Sequence, residues 1–375
     1  MKKSKKILLS FMTGAMLFSV LPNVASAHSN PLSVDEGEKK EISNEIEQLL
    51  EGRAAIMVSE GQVLHESQFT SKAADIKEEE QRNQIAQFRD ELKEVGETYS
   101  STRTDISIIN SEKISDSMVS MKVKEETYLT IAETGVETGY DAEHEFILEK
   151  SANGWDIVED KQLEPSGLLP LGVAEEYVEE ESQYFDTVEG EELDPVDIEP
   201  ASIQKNDAEI EEKIVTAKAG GYNYKAMANY LEKYWSKYNP AYRNFSGKGG
   251  DCTNFASQAL RAGGWKDKIG WYKNANYWWY NNSNQTWSWT SVDYWATFAK
   301  NSGRTSTLKN VWSLRIGDVL QVRAKGSKTK NHTMMVSYVK NNTPYFTYHS
   351  SNRYRRSLNQ VLQDWKGGTF YAYRT

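Results

Sequence analysis

Apolar residues in the N-terminal half first recur at helical spacing and then alternate with polar residues. Two helices are predicted, with apolar faces formed by Ile42, Ile46, Leu49 and Leu50, and by Ile85, Phe88, Leu92 and Val95. Alternation predicts strands at 104–110 and 117–130, and the dipeptide Asn153-Gly154 predicts the turn of a following hairpin. Helices followed by a meander predict a small α+β domain over residues 31–165.

A second helix-then-strand pattern begins at residue 222. Its first helix has the apolar face Tyr224, Met227, Ala228, Leu231, Tyr234 and Trp235. The next helix is predicted to start after Asp251, a good N-cap residue, and to stop at Gly263-Gly264. Strands follow, including a hairpin over 332–350, and a last helix precedes a closing strand at 369–374. This order predicts N-terminal helices packed on an antiparallel sheet, an α+β domain over residues 222–375.

Residues 1–27 have the pattern of an export signal. Four lysines precede an apolar run at 7–21, and Ala25-Ser26-Ala27 supplies the small residues of a cleavage site. The run is shorter than the roughly 20 apolar residues of a spanning helix, and no later segment reaches that length. We therefore expect a secreted protein, extracellular or associated with the cell wall and not transmembrane, whose mature form begins at His28.

The two predicted domains differ in charge. Residues 28–221 contain 17 Lys and Arg against 48 Asp and Glu, a net charge of −31, whereas residues 222–375 contain 23 against 6, a net charge of +17. A basic region in an exported protein favours anionic partners such as wall polymers. The basic residues are scattered rather than arranged in a stripe, so no nucleic-acid partner is predicted.

The segment 166–221 is rich in acidic residues and poor in apolar ones. Like charges oppose collapse, which predicts an extended, flexible linker between the two domains. An alternative is that this acidic segment lies across the basic domain as an electrostatic inhibitor.

Cys252 is the only cysteine in the chain, so it cannot form an intramolecular disulfide. At the start of a predicted helix, the helix dipole favours the thiolate, which is the nucleophilic form. An unpaired thiol in an oxidising exterior therefore indicates a catalytic nucleophile, and the alternative is a buried, inert cysteine.

Two histidines, His332 and His349, lie 17 positions apart in the predicted hairpin. A turn centred on Lys340-Asn341 places them directly opposite each other, and one centred on Asn341-Asn342 makes them diagonal neighbours on one face. In both registers the imidazoles meet, which predicts that His332 takes the thiol proton and His349 orients its ring. The alternative is two histidines that share a sheet surface without chemistry.

Other groups were considered for the same site. Cys252 and the two histidines could provide three zinc ligands, but no second ligand lies close in sequence, so neither a metal nor a cofactor is predicted. The predicted oxyanion donors are the backbone N–H of Cys252 and one side chain, Asn244 or Asn254.

Aromatic residues are concentrated in the basic domain. It holds ten of the 11 tryptophans, and six of these fall within 25 positions: Trp271, Trp278, Trp279, Trp287, Trp289 and Trp295. They predict either an aromatic cleft for a peptide or sugar, or a large loop that packs on the sheet through its own rings.

Six stretches of the basic domain carry a family resemblance: Tyr222-Asn223-Tyr224-Lys225-Ala226, Asn239-Pro240-Ala241-Tyr242, Asp251-Cys252-Thr253-Asn254-Phe255-Ala256-Ser257-Gln258-Ala259-Leu260, Gly263-Gly264, Ile316-Gly317-Asp318-Val319 and Asn331-His332-Thr333. They resemble the putative amidase domain family, a papain-like Cys/His group related to CHAP and NlpC-type wall hydrolases. The resemblance covers residues 222–375 and none of the acidic half. It implies a papain-like catalytic domain with Cys252 as nucleophile and His332 as base. The third position is His349, with Asn352 as the second choice.

Together these observations predict a secreted cysteine amidohydrolase or peptidase that cleaves amide bonds, foremost those of cell-wall peptidoglycan peptides. One alternative is a non-catalytic module that binds the cell wall or a glycan through the aromatic cluster. Another is an extracellular cysteine protease that acts on proteins.

Overall fold

The computed structural model describes residues 33–59, 69–171, 194–200, 221–246 and 251–375. The predicted export signal at 1–27 lies outside these residues, as does most of the predicted acidic linker. Within the described ranges, no helix is both long and apolar enough to cross a membrane.

Two helices and a four-stranded meander form the N-terminal half. Their bounds are α1 Glu36–Ala55, α2 Lys72–Glu94, β1 Tyr99–Lys113, β2 Met118–Ile131, β3 Glu137–Ser151 and β4 Gly154–Gln162. The side chains of Asp35 and Ser71 cap the two helices, and the predicted apolar faces are buried between the helices and the sheet. Val95 is the exception, because it lies at the C-cap of α2 and is exposed.

The C-terminal half has the predicted order of helices followed by strands. The helices are α3 Tyr224–Tyr234, α4 Cys252–Ala262, α5 Trp287–Thr290, α6 Val292–Ser302 and α7 Leu358–Asp364, with a 3₁₀ turn at Val311–Ser313. The strands are β5 Ser306–Thr307, β6 Val319–Arg323, β7 His332–Lys340, β8 Thr343–Tyr348, β9 Arg353–Ser357 and β10 Thr369–Arg374.

The strands of both halves form one continuous sheet. Its order is β1-β2-β3-β9-β8-β7-β6-β10-β5, with β4 paired to the other end of β3. The halves join where Gly139 and Tyr140 of β3 pair in antiparallel fashion with Tyr354 and Arg353 of β9. The mixture of helices and antiparallel strands confirms the predicted α+β class. The domain boundaries drawn from the sequence stay predictions.

In the C-terminal half, the sheet separates two apolar cores. Successive residues of a strand point to opposite faces, so Met335 packs with α3, α4 and α6 whereas Met334 packs with α7 on the other face. Four buried tryptophans fill the first core: Trp265, Trp278, Trp289 and Trp295. Much of the predicted aromatic cluster is therefore packing around α4 and α6.

Two described parts of the acidic segment reach the second face. Leu171 and Val196 are buried in the core beside α7, and the Val196 N–H donates to the Phe370 carbonyl at 3.0 Å. This face is opposite the one that packs against the Cys252 helix, so these parts of the segment do not cover Cys252.

Candidate active site

Cys252 is the first residue of α4 and is buried, with 1% of its surface exposed. Its Sγ lies 3.7 Å from the Oγ1 of Thr253, which in turn lies 2.9 Å from the Oγ1 of Thr333 on β7. These contacts fix the start of α4 against the sheet. At this position the helix dipole stabilises a negative charge on sulfur.

Asp251 precedes the cysteine and was predicted to be an ordinary N-cap. It occupies the N-cap position, but its side chain makes no capping hydrogen bond. Instead, one carboxylate oxygen accepts from the Phe245 N–H and from Asn254 Nδ2, and the other lies 2.7 Å from Nδ1 of His349. Asp251 is thus a buried carboxylate that holds a histidine beside the cysteine helix.

His349 is enclosed by aromatic rings as well as hydrogen bonds. Its imidazole stacks on Phe255 of α4, with ring centres 3.6 Å apart and an angle of 6°, and Tyr238 lies over it at 4.2 Å. Its Nε2 donates to the carbonyl oxygen of Tyr234 at 2.8 Å. Phe255 is three residues after Cys252 and therefore lies on the same side of the helix. His349 thus belongs to the cysteine's side of the sheet.

The predicted meeting of His332 and His349 does not occur. The turn is Asn341-Asn342, with both residues in the left-handed region, and Lys340 pairs with Thr343. The register then shifts by one residue at Ser337, so Met335 pairs with Thr347. A one-residue shift reverses which face a side chain occupies. The two hairpin registers predicted from the sequence contain no bulge, and for that reason they place the two imidazoles on the same face.

His332 lies on the opposite face of the sheet, in the core beside α7. Its ring is 4.9 Å from that of Tyr348 and 5.9 Å from that of Trp365, and its buried Nε2 has no hydrogen-bond partner. Burial, together with the nearby Arg353 charge, lowers the pKa of His332 to about 3. A neutral imidazole behind the sheet is poorly placed to take a proton from Cys252.

The asparagines predicted near the site have different surroundings. Both polar atoms of the Asn254 side-chain amide form hydrogen bonds. Nδ2 donates to the Arg243 carbonyl oxygen and to a carboxylate oxygen of Asp251, and Oδ1 accepts from Trp289 Nε1. Asn254 is therefore unsuited to bind an oxyanion, whereas Asn244 is exposed. Asn352 accepts a hydrogen bond from the Tyr238 hydroxyl at 3.3 Å.

The N-terminal half supports the segment that covers His349. Lys124 of β2 donates to the carbonyl oxygen of Ser236 at 2.6 Å and forms an ion pair with Asp141 of β3 at 2.7 Å. Trp235 packs between the rings of Tyr128 and Tyr354, at 5.8 and 5.7 Å. We call residues 234–238 the covering segment, because it contributes the Tyr234 carbonyl and the Tyr238 ring to His349. No pattern in the sequence indicated that β2 would hold this segment.

Carboxyl groups of the N-terminal half lie near this junction. Burial raises the pKa of Asp141 to about 6 although Lys124 opposes the shift. Burial and the neighbouring Asp141 charge raise the pKa of Glu164 to about 7. Asp141 and Asn352 are the residues next to Tyr140 and Arg353, which pair between β3 and β9. The acidic half therefore contributes ionisable groups beside the covering segment.

A pocket of about 540 Å³ lies at the other end of α4, and its lining residues are Ala241, Tyr242, Arg261, Tyr280, Asn281, Asn282 and Ser283. Arg261 is nine residues after Cys252, which corresponds to about 13 Å along the helix axis. No group of three or more His, Cys, Asp or Glu side chains within the described ranges could hold a metal ion.

A comparison with known protein families identifies the same part of the chain that contains Cys252, Asp251 and His349. Residues 221–373 match the family model of a putative amidase domain. We call residues 221–373 the amidase-family segment, and the match supports an amidase-like, and therefore hydrolytic, function for it. It includes every residue of the Cys252 and His349 surroundings except those contributed by the N-terminal half.

Two proteins of Bacillus subtilis strain 168 are similar to part of this chain. The uncharacterized protein YhbB is 34% identical over 159 residues, which cover 40% of this chain and 50% of that protein. The uncharacterized protein YjcM is 29% identical over 163 residues, covering 40% of this chain and 37% of that protein. The chain thus spans half or less of the length of these curated relatives. No solved structure matches it.

Proposed function

We propose that residues 222–375 form a papain-like cysteine amidohydrolase or peptidase in which Cys252 is the nucleophile and His349 is the base. The observation that carries this proposal is the buried Asp251–His349 pair, which lies next to the only cysteine of the chain in a segment of an amidase family. A carboxylate, an imidazole and a thiol in this order form the usual arrangement for activating a nucleophile.

The proposed reaction uses two proton transfers. The Cys252 thiol passes its proton to His349 Nε2, and the sulfur attacks the carbonyl carbon of the amide. The C–N bond then breaks, and the leaving amine takes that proton from His349. Water hydrolyses the resulting thioester and restores the thiol. Nε2 now donates to the Tyr234 carbonyl oxygen. The first transfer therefore requires that this hydrogen bond open and that the single ring proton lie on Nδ1, towards Asp251, which leaves Nε2 free to accept the thiol proton.

The role of His332 changes in this proposal. The sequence favoured it as base, but its position behind the sheet and its low pKa favour a structural role. Asp251 takes the orienting role that was predicted for His349. The backbone N–H of Cys252 stays the proposed oxyanion donor, because it points from the start of α4.

The proposed substrate is a peptide amide of cell-wall peptidoglycan, and the proposed location is outside the cell or at the wall. The export signal pattern at 1–27 and the net charge of +17 over residues 222–375 support this, since anionic wall polymers attract a basic domain. The pocket at the end of α4, which contains two tyrosines among mostly polar residues, supplies a surface for part of such a substrate.

The test is to incubate the chain from His28 onward with purified peptidoglycan and to identify the released fragments by mass spectrometry. The active chain should release fragments with new amine and carboxyl ends, and Cys252→Ala and Cys252→Ser should release none. Equal release by the variants would refute the nucleophile.

The pocket also favours a second candidate, a non-catalytic module that binds the wall or a glycan. In that case the unsubstituted chain would sediment with peptidoglycan without releasing fragments, and Tyr242→Ala would abolish sedimentation. An exported protease acting on proteins would instead cleave a denatured protein and spare peptidoglycan.

A further inference from the structure

The loop between α4 and α5 exposes two large apolar side chains at one point. Ile269 is 71% exposed and Trp271 is 63% exposed, the two highest values for large hydrophobic residues within the described ranges. We call residues 269–271 the tip. Other tryptophans of the same loop, such as Trp278, are fully buried. The exposure is therefore specific to the tip rather than a property of the whole aromatic loop.

The tip is held in place from both sides. Lys268 and Trp278 exchange two backbone hydrogen bonds, at 2.8 and 3.0 Å, and Trp279 Nε1 donates to the Gly270 carbonyl oxygen at 2.9 Å. After the tip, the Trp287 N–H donates to the Tyr272 carbonyl oxygen at 2.8 Å. A side chain at Gly270 would collide with Tyr277, since a Cβ there would lie 2.3 Å from the ring. The backbone thus presents Ile269 and Trp271 outward in a fixed arrangement.

The charges around the tip are positive. Lys266, Lys268 and Lys273 are exposed, and none of them forms an ion pair within the described part of the chain. Asp267 is the only acidic residue between positions 252 and 292, and it is already paired with Arg261. Three cations therefore lie within three residues of the tip in the sequence, and the one carboxylate of this stretch is already paired.

We propose that the tip binds the surface of an anionic lipid bilayer. Tryptophan prefers the boundary between lipid headgroups and acyl chains, and moving an isoleucine side chain out of water has a favourable free energy. Nearby lysines are attracted to anionic headgroups. A soluble polyanion would satisfy the lysines alone and leave Ile269 and Trp271 in water. The combination of apolar and cationic groups therefore favours a lipid surface over an anionic polymer. This proposal is independent of the proposed catalysis.

The test measures binding of the chain from His28 onward to sedimented vesicles of phosphatidylglycerol mixed with phosphatidylcholine, and to vesicles of phosphatidylcholine alone. We expect binding to the anionic vesicles that weakens as salt rises. The double variant Ile269→Ser, Trp271→Ser should bind at least about tenfold more weakly, because two apolar side chains no longer leave water. Replacing Lys266, Lys268 and Lys273 by Gln should remove the preference for the anionic lipid.

A matched control changes exposed apolar residues elsewhere. Ile109 of β1 and Ile114, the residue after that strand, are also exposed, at 48% and 54%, so Ile109→Ser with Ile114→Ser should leave vesicle binding unchanged. Absence of vesicle binding would overturn the proposal. So would equal binding by the tip variant, or binding of soluble poly(glycerol phosphate) without any binding of vesicles. Unchanged thermal unfolding of the tip variant would exclude misfolding as the cause of lost binding.

Discussion

Nδ1 of His349 lies 2.7 Å from a carboxylate oxygen of Asp251, the residue immediately before Cys252. Both members of this pair are buried, with 1% and 0% of their side chains exposed. A hydrogen-bonded pair in such surroundings is held firmly, since water cannot replace either partner. One position at the start of α4 therefore locates the histidine relative to the cysteine.

Replacing Asp251 by Asn should lower peptidoglycan hydrolysis by roughly a hundredfold or more, because loss of the orienting carboxylate impairs the base in comparable sites. Asn retains an oxygen that can accept from the Phe245 N–H, which limits damage to the fold. The rate of fragment release checks this prediction. Urea unfolding must show that the variant is folded under the assay conditions, and a folded variant with an unchanged rate would contradict the orienting role.

The two histidines provide a matched pair of substitutions. His349→Gln should reduce hydrolysis by about 10² to 10⁴-fold, the usual contribution of a general base. His332→Gln should keep the rate of the unsubstituted chain, because His332 lies on the opposite face of the sheet. Initial rates of fragment release compare the two variants. The reverse result would restore the assignment of His332 as the base.

His332 should make the fold less stable in acid. Its pKa is about 3 in the folded chain, below the ordinary value of 6.5, so the unfolded chain binds the proton more readily. The resulting stability is present above pH 6.5 and declines as the pH falls towards 3, by a total on the order of 5 kcal/mol. Urea unfolding between pH 7 and 4 should therefore have a smaller pH slope in His332→Phe. Identical pH slopes in the two chains would contradict a lowered pKa of His332 in the folded state.

His144 should have the opposite effect in alkali. It lies between Asp160 and Glu125, at 2.9 and 3.1 Å, and these carboxylates raise its pKa to about 9 although burial opposes the shift. Its stabilising charge is fully present below pH 6.5 and is lost as the pH rises through 9, by on the order of 3 kcal/mol. The decline in unfolding free energy between pH 6.5 and 9.5 should be weaker in His144→Gln.

Lys124→Met should loosen the covering segment. The substitution removes the bond to the Ser236 carbonyl oxygen, so amide hydrogens at 235–238 should exchange at least about tenfold faster, while those of β7 should not change. Lys122→Met is the control, because Lys122 lies on the same strand and pairs with Glu143 instead. Equal exchange in both variants would show that Lys124 does not hold the segment.

Local patterns in the sequence predicted the helices and placed Cys252, the proposed nucleophile, at the start of one of them. Helical periodicity identified α1 to α4, and Gly263-Gly264 marked the end of α4. A lone cysteine at a helix start was also visible without a structure. These features depend on residues that are close in the sequence, where spacing determines which side chains share a face.

The missing parts of the site depend on contacts between distant residues. The bulge at Ser337 shifts the hairpin register, and no pattern in β7 marks it. Asp251 looked like a helix cap because its partner His349 lies 98 positions away. The support from Lys124 requires β3 to pair with β9, a pairing that alternation within each strand does not specify.

The two residue pairs that join β3 to β9 should also limit self-association of the amidase-family segment. Without the N-terminal half, β9 would be the last strand of its sheet and would expose unpaired N–H and C=O groups. Open strand edges recruit other chains and promote aggregation. Residues 221–375 expressed alone should therefore form oligomers or precipitate more readily than the longer chain, independently of any change in catalysis.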